Sequence, residues 1–372
     1  MTRRVLGKAL PSLALSFAAA TAQQTLLVGP GQTFTTIQPA IAAAAPGDTV
    51  LVLPGTYSGP LDIDKGIQLI GQGADIIGPA AGLFSPNFAT VHDLPANQRF
   101  AMAGFRAVQG ASQPTSLESI VIAVQNCAGF VALRDLSSSG GFRRFAVGAS
   151  GSPQVFVGSV DGYGLNATNS TVVCEACFLE FSYIALRAVD SSVVVVGSTI
   201  QTTGSPLSFP VLVEGGRLVV SRSTVASGAS GFPKSAIYAT NTELLLDPST
   251  VLQPTGGAPA IQGGTAVPFP FASLRAQLAA GSMTVQSHGT ANETFATVFG
   301  PVVGLQSTPL GLTWLDAPQA SLLGFASYGA DRLHSLTLPL PPLPPGLVVG
   351  LQTIGFEGGT IAFGVPSLVV TR

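Results

Sequence analysis

Two carboxylates in the middle of the chain have the residue type that acid–base chemistry needs. Asp161 and Glu180 each follow the last apolar residue of a repeated segment, so we expect them to stack on adjacent strands. Glycoside hydrolysis by two carboxyl groups needs a separation of about 5 to 10 Å. Two solvated turn residues are the competing interpretation, and a carboxylate pair can also bind Ca²⁺ weakly. The catalytic residues are therefore unknown, with Asp161 and Glu180 as weak candidates.

The cysteines and histidines give weaker evidence of a reactive or metal-binding site than the two carboxylates do. Cys127, Cys174 and Cys177 are an odd set that forms no complete disulfide framework. Cys174 and Cys177 have the spacing of a redox or zinc half-site, but they lie in a strand pattern, and the isolated histidines supply no further zinc ligands. Buried thiols are favoured, and a local Cys174–Cys177 disulfide stays open as the alternative. No metal and no cofactor are expected, except Ca²⁺ if the protein were lyase-like.

The composition restricts the class of partner. Only 9% of the 372 residues are charged, against about 25% in ordinary soluble domains. The formal net charge is −2, whereas a nucleic-acid-binding domain would carry a basic face. Nucleic acid is therefore not an expected partner, and the chain must solvate itself with neutral polar side chains.

The first residues have the pattern of an export signal. Basic residues precede an apolar run over Ala9–Ala20, and a small-x-small site ends at Ala22. A membrane span needs about 20 apolar residues, and Pro11 interrupts this shorter run. We expect residues 1–22 to be a signal peptide, the mature chain to have no membrane span, and the protein to be secreted or held at the cell surface.

Five segments in the middle of the chain superpose without gaps, and a sixth copy is weaker. They recur about every 19 to 26 residues, which suits one turn of a solenoid. In each copy, apolar residues two apart predict inward-facing strand positions. The last apolar residues of the five segments are Val160, Leu179, Ile200, Val225 and Val251.

The same offset in every copy carries a residue that tolerates a left-handed backbone or bonds to its own chain. This corner column predicts a coil in which parallel strands stack, and its polar side chains are expected to be structural. Its members are Asn126, Ser150, Asn169, Asp190, Gly215 and Asn241.

A short helix pattern precedes the first strands. Thr35 or Thr36 is the predicted N-cap, Gly47 the predicted end, and Ile37 and Ile41 share one face. A solenoid exposes its apolar interior at each end and needs a cap. The helix is therefore predicted to close the coil, while Asp48 and Tyr57 after it are expected to serve turn formation and packing.

The stretch "FTTIQPAIAAAAPGDTVLVLPGTYSGPLDIDKGIQLIGQG" resembles the N-terminal segment of the pectin lyase-like superfamily. The resemblance covers about residues 26–78 closely and the repeats to about residue 265 in general form. It implies a right-handed parallel β-helix. Members that act on polysaccharides carry catalytic residues on outward faces of the central turns. The esterase strings Gln-Asp-Thr-Leu and Asp-Phe-Ile-Phe-Gly do not occur here, nor do the Asp-Asp and Gly-His-Gly of galacturonase-like members.

The C-terminal hundred residues change character. Short alternating strands separated by Gly, Asn and Pro turns predict a small antiparallel β-sandwich. This part loosely resembles C-terminal β-domains of secreted proteins from bacteria such as planctomycetes. The predicted division is a signal peptide (1–22), an all-β parallel β-helix domain with an N-terminal capping helix (23–265) and a β-sandwich domain (266–372).

These expectations favour a non-catalytic exported protein over an enzyme. We expect a monomer whose polar face binds polysaccharide or other cell-envelope glycans. The alternative is a polysaccharide lyase or a pectin-esterase-like carbohydrate esterase that acts on an acidic polysaccharide.

Overall fold

The structure is a computed structural model that describes residues 23–77, 87–108, 118–138, 143–181, 183–204, 208–229, 232–268, 272–279, 281–308, 311–357 and 360–372. The predicted signal peptide lies outside the described residues. The fold is all-β, with one large parallel sheet and smaller antiparallel sheets. The predicted fold class is confirmed at that level.

The parallel strands fall into three ladders, and the chain visits ladder 1, ladder 2 and ladder 3 in turn. Every strand pairs in parallel with its counterpart from the next repeat. Long strands β5, β7 and β9 pass from ladder 1 into ladder 2, and β11 belongs to all three.

Strands are numbered in chain order. Ladder 1 contains β1 (Thr25–Val28), β2 (Thr49–Val52), β5 (Gln68–Ile77), β7 (Arg99–Val108), β9 (Phe130–Ser138), β11 (Val155–Thr168), β12 (Thr171–Glu175), β15 (Ser192–Val196), β18 (Arg217–Ser221), β21 (Glu243–Leu246) and β24 (Ala266–Pro268). Ladder 2 adds β3 (Gly55–Ser58), β13 (Phe178–Phe181), β16 (Thr199–Thr202), β19 (Thr224–Ala226) and β22 (Val251–Gln253). Ladder 3 contains β4 (Leu61–Ile63), β6 (Ala89–His92), β8 (Glu118–Gln125), β10 (Arg143–Ser150), the end of β11, β14 (Ile184–Val189), β17 (Phe209–Glu214), β20 (Ile237–Thr240) and β23 (Ile261–Gln262).

The inward side chains of the three ladders form one continuous hydrophobic core. Strand geometry sends successive side chains to opposite faces, so Val193 and Val195 point into this core while Val194 points out. Cys127, Cys174 and Cys177 are buried, free thiols within it. The prediction that the cysteines are buried thiols agrees with these positions.

The repeat register agrees with the sequence alignment in the centre and departs from it at both ends. Leu179 pairs with Ile200, and Ile200 with Val225, as the alignment requires. Leu179 pairs on its other side with Gly162 instead of Val160. Val225 pairs with Leu252 instead of Val251. Ungapped alignment fails there because corners and loops absorb extra residues without disturbing the inward columns.

The corner between ladder 3 and ladder 1 is built from left-handed residues. Asn126, Asn169, Asp190, Gly215 and Asn241 have φ values between 47° and 76°. Ser150 differs from the prediction. It is the last residue of β10, and Gly151 takes the left-handed conformation with φ 58°. Ser150 pairs with Thr168, the residue before Asn169, so the alignment was one residue out of register at this corner.

The sequence analysis missed the second corner, where ladder 1 turns into ladder 2. Asp135, Ser159, Ala176, Gly197 and Arg222 have φ values between 51° and 56° there. Asp135 and Gly197 belong to residue types that adopt the left-handed region, but Ala176 and Arg222 do not, so this column gave no consistent signal. Tertiary pairing on both sides imposes this conformation.

A buried serine ladder follows each corner. Ser170 Oγ accepts from the Ser152 amide, and Ser191 Oγ accepts from the Ser170 amide, each at 3.1 Å. Ser198 and Ser223 repeat this arrangement after the second corner. Each corner would otherwise leave a buried amide without an acceptor, which is costly. These serine ladders therefore stabilise the two corners by supplying acceptors for buried amides.

Helix α1 (Ile37–Ala43) precedes β2, and it is the single α-helix among the described residues. Ile37 and Ile41 are buried in the common core, as predicted. The helix ends at Ala43, before Gly47, and Thr36 makes no side-chain cap. Asp48 closes the following turn by accepting amide hydrogens from Gln24 and Ala45.

The antiparallel strands follow β24. One sheet contains β25 (Ser273–Ala279), β26 (Ser282–His288) and β30 (Leu333–Pro339). The second contains β27 (Thr294–Thr308), β28 (Gly311–Leu315), β29 (Ser321–Ser327), β31 (Val348–Glu357), β32 (Thr360–Phe363) and β33 (Ser367–Val370), with a 3₁₀ turn at Ala317–Gln319. These strands pack on the outward side of ladder 1.

Candidate functional site

The two candidate carboxylates lie on ladder 2, and the register does not place them side by side. Asp161 is opposite Phe178, so Glu180 lies two residues further along its strand. Ser138 Oγ donates to Asp161, and Gln201 Nε2 donates to Glu180 Oε1 at 2.7 Å. The predicted carboxylate stack is wrong because the first repeat was aligned two residues out of register. Each carboxylate instead has a neutral hydrogen-bonding neighbour.

Ladder 1 turns an apolar outward side toward the antiparallel strands. Trp314 is 1% exposed and packs edge-on against Phe130 and Phe156, with ring centroids 5.3 and 5.4 Å apart. Val302 and Leu368 contribute to the same cluster. The outward side of ladder 1 is therefore an internal interface.

Continuous apolar runs signal this burial in the sequence. Val193–Val196 contains four valines in succession, and all four are buried. Such a run is typical of strands covered on both faces. Only the inward-facing valines of this run, Val193 and Val195, were used in the prediction. The covering of ladder 1 was therefore not predicted.

The outward side of ladder 3 is exposed, unlike that of ladder 1, and we call it the ladder 3 face. Its inward positions are buried, while most of its outward positions are partly or fully exposed. Register aligns the outward residues in two columns across nine strands. The first column is Asp62, Thr90, Ala123, Gly148, Asn166, Arg187, Leu212, Tyr238 and Gln262, and the second is His92, Gln125, Ser150, Thr168, Val189, Glu214 and Thr240.

The size and chemistry of the ladder 3 face suit an extended polar ligand. Neighbouring strands are about 4.8 Å apart, so nine strands span roughly 40 Å. Half of these residues carry an amide or a hydroxyl group, and each such group can both donate and accept hydrogen bonds. Ala123 and Gly148 leave a flat area between them, and a Cβ added at Gly148 would meet no atom within 4 Å.

The charges on the ladder 3 face are paired. Arg187 Nη2 lies 3.4 Å from Glu214 Oε2. His92 Nε2 lies 2.9 Å from Asp62 Oδ1, and His92 Nδ1 lies 3.0 Å from Asp93 Oδ2. Hydrogen bonds to Asp93 and Asp62 raise the pKa of His92. With a carboxylate at each ring nitrogen, the imidazole links neighbouring strands.

An aromatic pair lies toward the far end of the ladder 3 face. Tyr238 is half-buried, and its ring centroid is 5.4 Å from that of Phe209 at an interplanar angle of 60°. Tyrosine combines an apolar ring with a hydroxyl. Tyr238 can therefore contact the CH face of a sugar and hydrogen-bond to it.

The polar groups of ladder 1 lie at its edge, under the antiparallel strands. Glu175 is 2% exposed, and burial raises its pKa to about 7 against the lowering effects of Arg134, Ser367 and Arg275. Three strands away in ladder 1, after β21, Asp247 Oδ2 lies 3.2 Å from Arg332 Nη2. Glu175 is thus a buried acid at an interface, a position that the sequence analysis did not single out.

Over the described ranges, no group of three or more His, Cys, Asp or Glu side chains is arranged to hold a metal ion. Within the same ranges, no helix has the length and apolar character needed to cross a membrane.

Comparison with known proteins gives no assignment. A scan against protein-family models finds no match, and a search of curated proteins finds no relative.

Proposed function

We propose that this protein is a non-catalytic exported glycan-binding protein, and that the ladder 3 face contacts a polysaccharide or another cell-envelope glycan. The observation that carries the proposal is the contrast between an apolar, covered ladder 1 and a polar, open ladder 3. Nothing in inward packing requires Asn166, Thr168 or Gln125 to be polar, because their side chains point outward. Their amides and hydroxyls match the hydroxyl-rich surface of a glycan.

The fold proposal supports this function. We propose a right-handed parallel β-helix of the pectin lyase-like type, closed by α1 and followed by a β-sandwich that begins at β25. The predicted division at residue 266 falls within ladder 1, because β24 pairs in parallel with β21. Its support is the order in which the chain visits the three ladders and the single core they share. An experimental structure with three ladders unrolled into one open sheet would contradict it.

Export is part of the proposal. The expected mature protein begins near Gln23 and is found outside the cell or at its surface. N-terminal sequencing of the protein from culture medium and envelope fractions tests this location. An intact Met1 on protein found only in the cytosol would contradict it.

A glycan array tests the proposed function directly. We expect the purified protein to bind one or more polysaccharides, and to leave polygalacturonate, alginate and methylated pectin uncleaved and unchanged with or without calcium. Gln125→Ala on ladder 3 should weaken binding. The matched control is Gln253→Ala, which removes an exposed glutamine from ladder 2.

The enzyme alternative is a polysaccharide lyase or carbohydrate esterase. It predicts turnover of one of those three polymers, lost in Asp161→Ala or Glu180→Ala. Such turnover would overturn the non-catalytic proposal, as would failure to bind any glycan on the array.

A further inference from the structure

A cleft of about 940 Å³ lies between the second corner and the antiparallel strands. Arg134, Asp135 and Arg372 line one part of it, so we call it the guanidinium cleft. The cleft is separate from the ladder 3 face, because Arg134 and Asp135 lie where ladder 1 turns into ladder 2.

Arg134 is held firmly in the wall of this cleft. Its side chain is 4% exposed, its Nη2 donates to the Ala276 carbonyl, and its guanidinium carbon lies 6.0 Å from the ring centroid of Phe156. Its Nη1 has no hydrogen-bond partner among the described residues. A buried cation with an unused donor favours the approach of an anion.

The Asp135 carboxylate lies between the two arginines of the cleft. Asp135 Oδ2 lies 3.1 Å from Arg372 Nη2, while Asp135 Oδ1 lies 3.8 Å from Arg134 Nε. The second distance is too long for a hydrogen bond. Arg372 is 52% exposed in its side chain, so it can turn toward a ligand at little cost. The two guanidiniums thus share the Asp135 carboxylate, and Arg134 also interacts with the buried Glu175.

The other residues that line the cleft indicate which chemical group would accompany the anion. Gln277 and Thr284 supply an amide and a hydroxyl, and the proline-rich segment supplies Pro341 and Leu343 as an apolar wall. This segment, residues 340–345, follows β30, and its first residues line the cleft. Polar donors beside an apolar wall suit a sugar ring, which has hydroxyl edges and CH faces.

We propose that the guanidinium cleft binds an anionic substituent of a saccharide, a carboxylate or a sulfate ester. The sugar part of this proposal rests on the proposed glycan function, and the anion part does not. Arg134 and Arg372 contact the anion, while Gln277 and Thr284 contact ring hydroxyls. Asp135 competes with the ligand for both guanidiniums.

Titration calorimetry with small ligands tests the cleft. The probes are glucuronate, glucose 6-sulfate, glucose, acetate and inorganic sulfate. We expect the two anionic sugars to bind at least about tenfold more tightly than glucose, because a charge-assisted hydrogen bond is worth more than a neutral one. Their affinity should fall as salt is added.

Two substitutions in the cleft change the affinity in opposite directions. Arg372→Gln should weaken binding of anionic sugars about tenfold. Asp135→Asn should tighten it several-fold, because it removes the competing carboxylate while asparagine keeps the left-handed conformation. Arg217→Gln is the matched control, since it removes an exposed arginine that pairs with Glu243 on ladder 1, outside both the cleft and the ladder 3 face, and it should leave affinity unchanged.

Three outcomes would overturn the proposal. Glucose could bind as tightly as glucuronate, Arg372→Gln could bind like the parent protein, or free acetate and sulfate could match the sugars. Failure of the wider glycan function is distinguishable, because it appears as loss of polymer binding while anionic monosaccharides still bind and still respond to Asp135→Asn.

Discussion

Ladders 1 and 3 contribute to the same core in the same way, yet their outward sides differ completely. Val193 and Leu186 both point inward and are fully buried. Outward, Val194 on ladder 1 is buried against the antiparallel strands, whereas Arg187 on ladder 3 has a side chain that is 44% exposed. Inward residues form the shared core of the parallel ladders, and outward residues decide what each side contacts.

This difference separates stability from recognition. Replacing an outward residue of ladder 1 disturbs packing between two parts of the protein. Replacing an outward residue of ladder 3 disturbs mainly its neighbours on the same face, solvent and any bound ligand. The same strand geometry therefore supports an internal interface on one side and a proposed binding surface on another.

The largest expected effect comes from uncovering ladder 1. Trp314→Ala should lower the free energy of unfolding by about 3 to 5 kcal/mol, because it removes a buried aromatic side chain that packs on Phe130 and Phe156. Urea denaturation followed by circular dichroism measures the change. Tyr238→Ala on the ladder 3 face should cost much less, since Tyr238 is only half-buried. Equal losses in the two variants would break the comparison.

The next effect is a pH dependence from the acid under the antiparallel strands. The folded pKa of Glu175 is raised from 4.5 to about 7, so its contribution to stability is fully present below pH 4.5 and is lost as pH rises through 7. Glu175→Gln removes this titration, and the difference between the two proteins should change by about 3 kcal/mol between pH 4 and pH 8. Urea midpoints across that range give the result. A difference that stays constant with pH would contradict the raised pKa.

The corner that joins ladder 3 to ladder 1 should respond more moderately. Ser191→Ala removes the acceptor of the Ser170 amide and should cost about 1 to 3 kcal/mol. Ser192→Ala is the control, because Ser192 is partly exposed and lies outside the serine ladder. Thermal unfolding of both variants measures the effect. A smaller loss in Ser191→Ala than in Ser192→Ala would refute the structural role of the ladder.

The smallest effect is expected at the edge of the ladder 3 face. The folded pKa of His92 is raised by Asp93 and Asp62, so its contribution to stability is present below about pH 6.5 and is lost as pH rises through the folded pKa. His92→Gln should abolish this change while lowering stability by less than about 1 kcal/mol, as for other exposed ion pairs. NMR titration of the imidazole measures the pKa. A value below 6.5 would contradict the assignment.

The sequence predicts the parallel ladders better than their outward surfaces. The inward columns and the Asn, Asp and Gly corner follow from residue type, because strand alternation and left-handed backbone each restrict the choice of residue. The second corner at Ala176 and Arg222 is imposed by pairing and leaves no local signal. Asp161 and Glu180 were misplaced because a two-residue change in register lies outside the reach of an ungapped alignment.

The sequence predicts that the candidate site is a neutral polar surface, but it does not predict where in the fold this surface lies. A low content of charged residues indicates neutral polar chemistry, but the sequence does not say which ladder is open. That information depends on where the antiparallel strands pack. Trp314 is the residue that covers ladder 1, and it lies far along the chain from Phe130 and Phe156. Glu175 likewise becomes a buried acid only through this packing.

The central claim is that the ladder 3 face binds glycan. Gly148→Ile tests it most directly, because Gly148 lies in the middle of the face and a Cβ there meets no neighbouring atom within 4 Å. Gly324→Ile on β29 is the matched control, with equally open space. Affinity electrophoresis in gels containing the best polysaccharide from the array compares the variants. We predict that Gly148→Ile abolishes retardation while Gly324→Ile migrates like the parent protein; equal retardation of all three proteins would contradict the account.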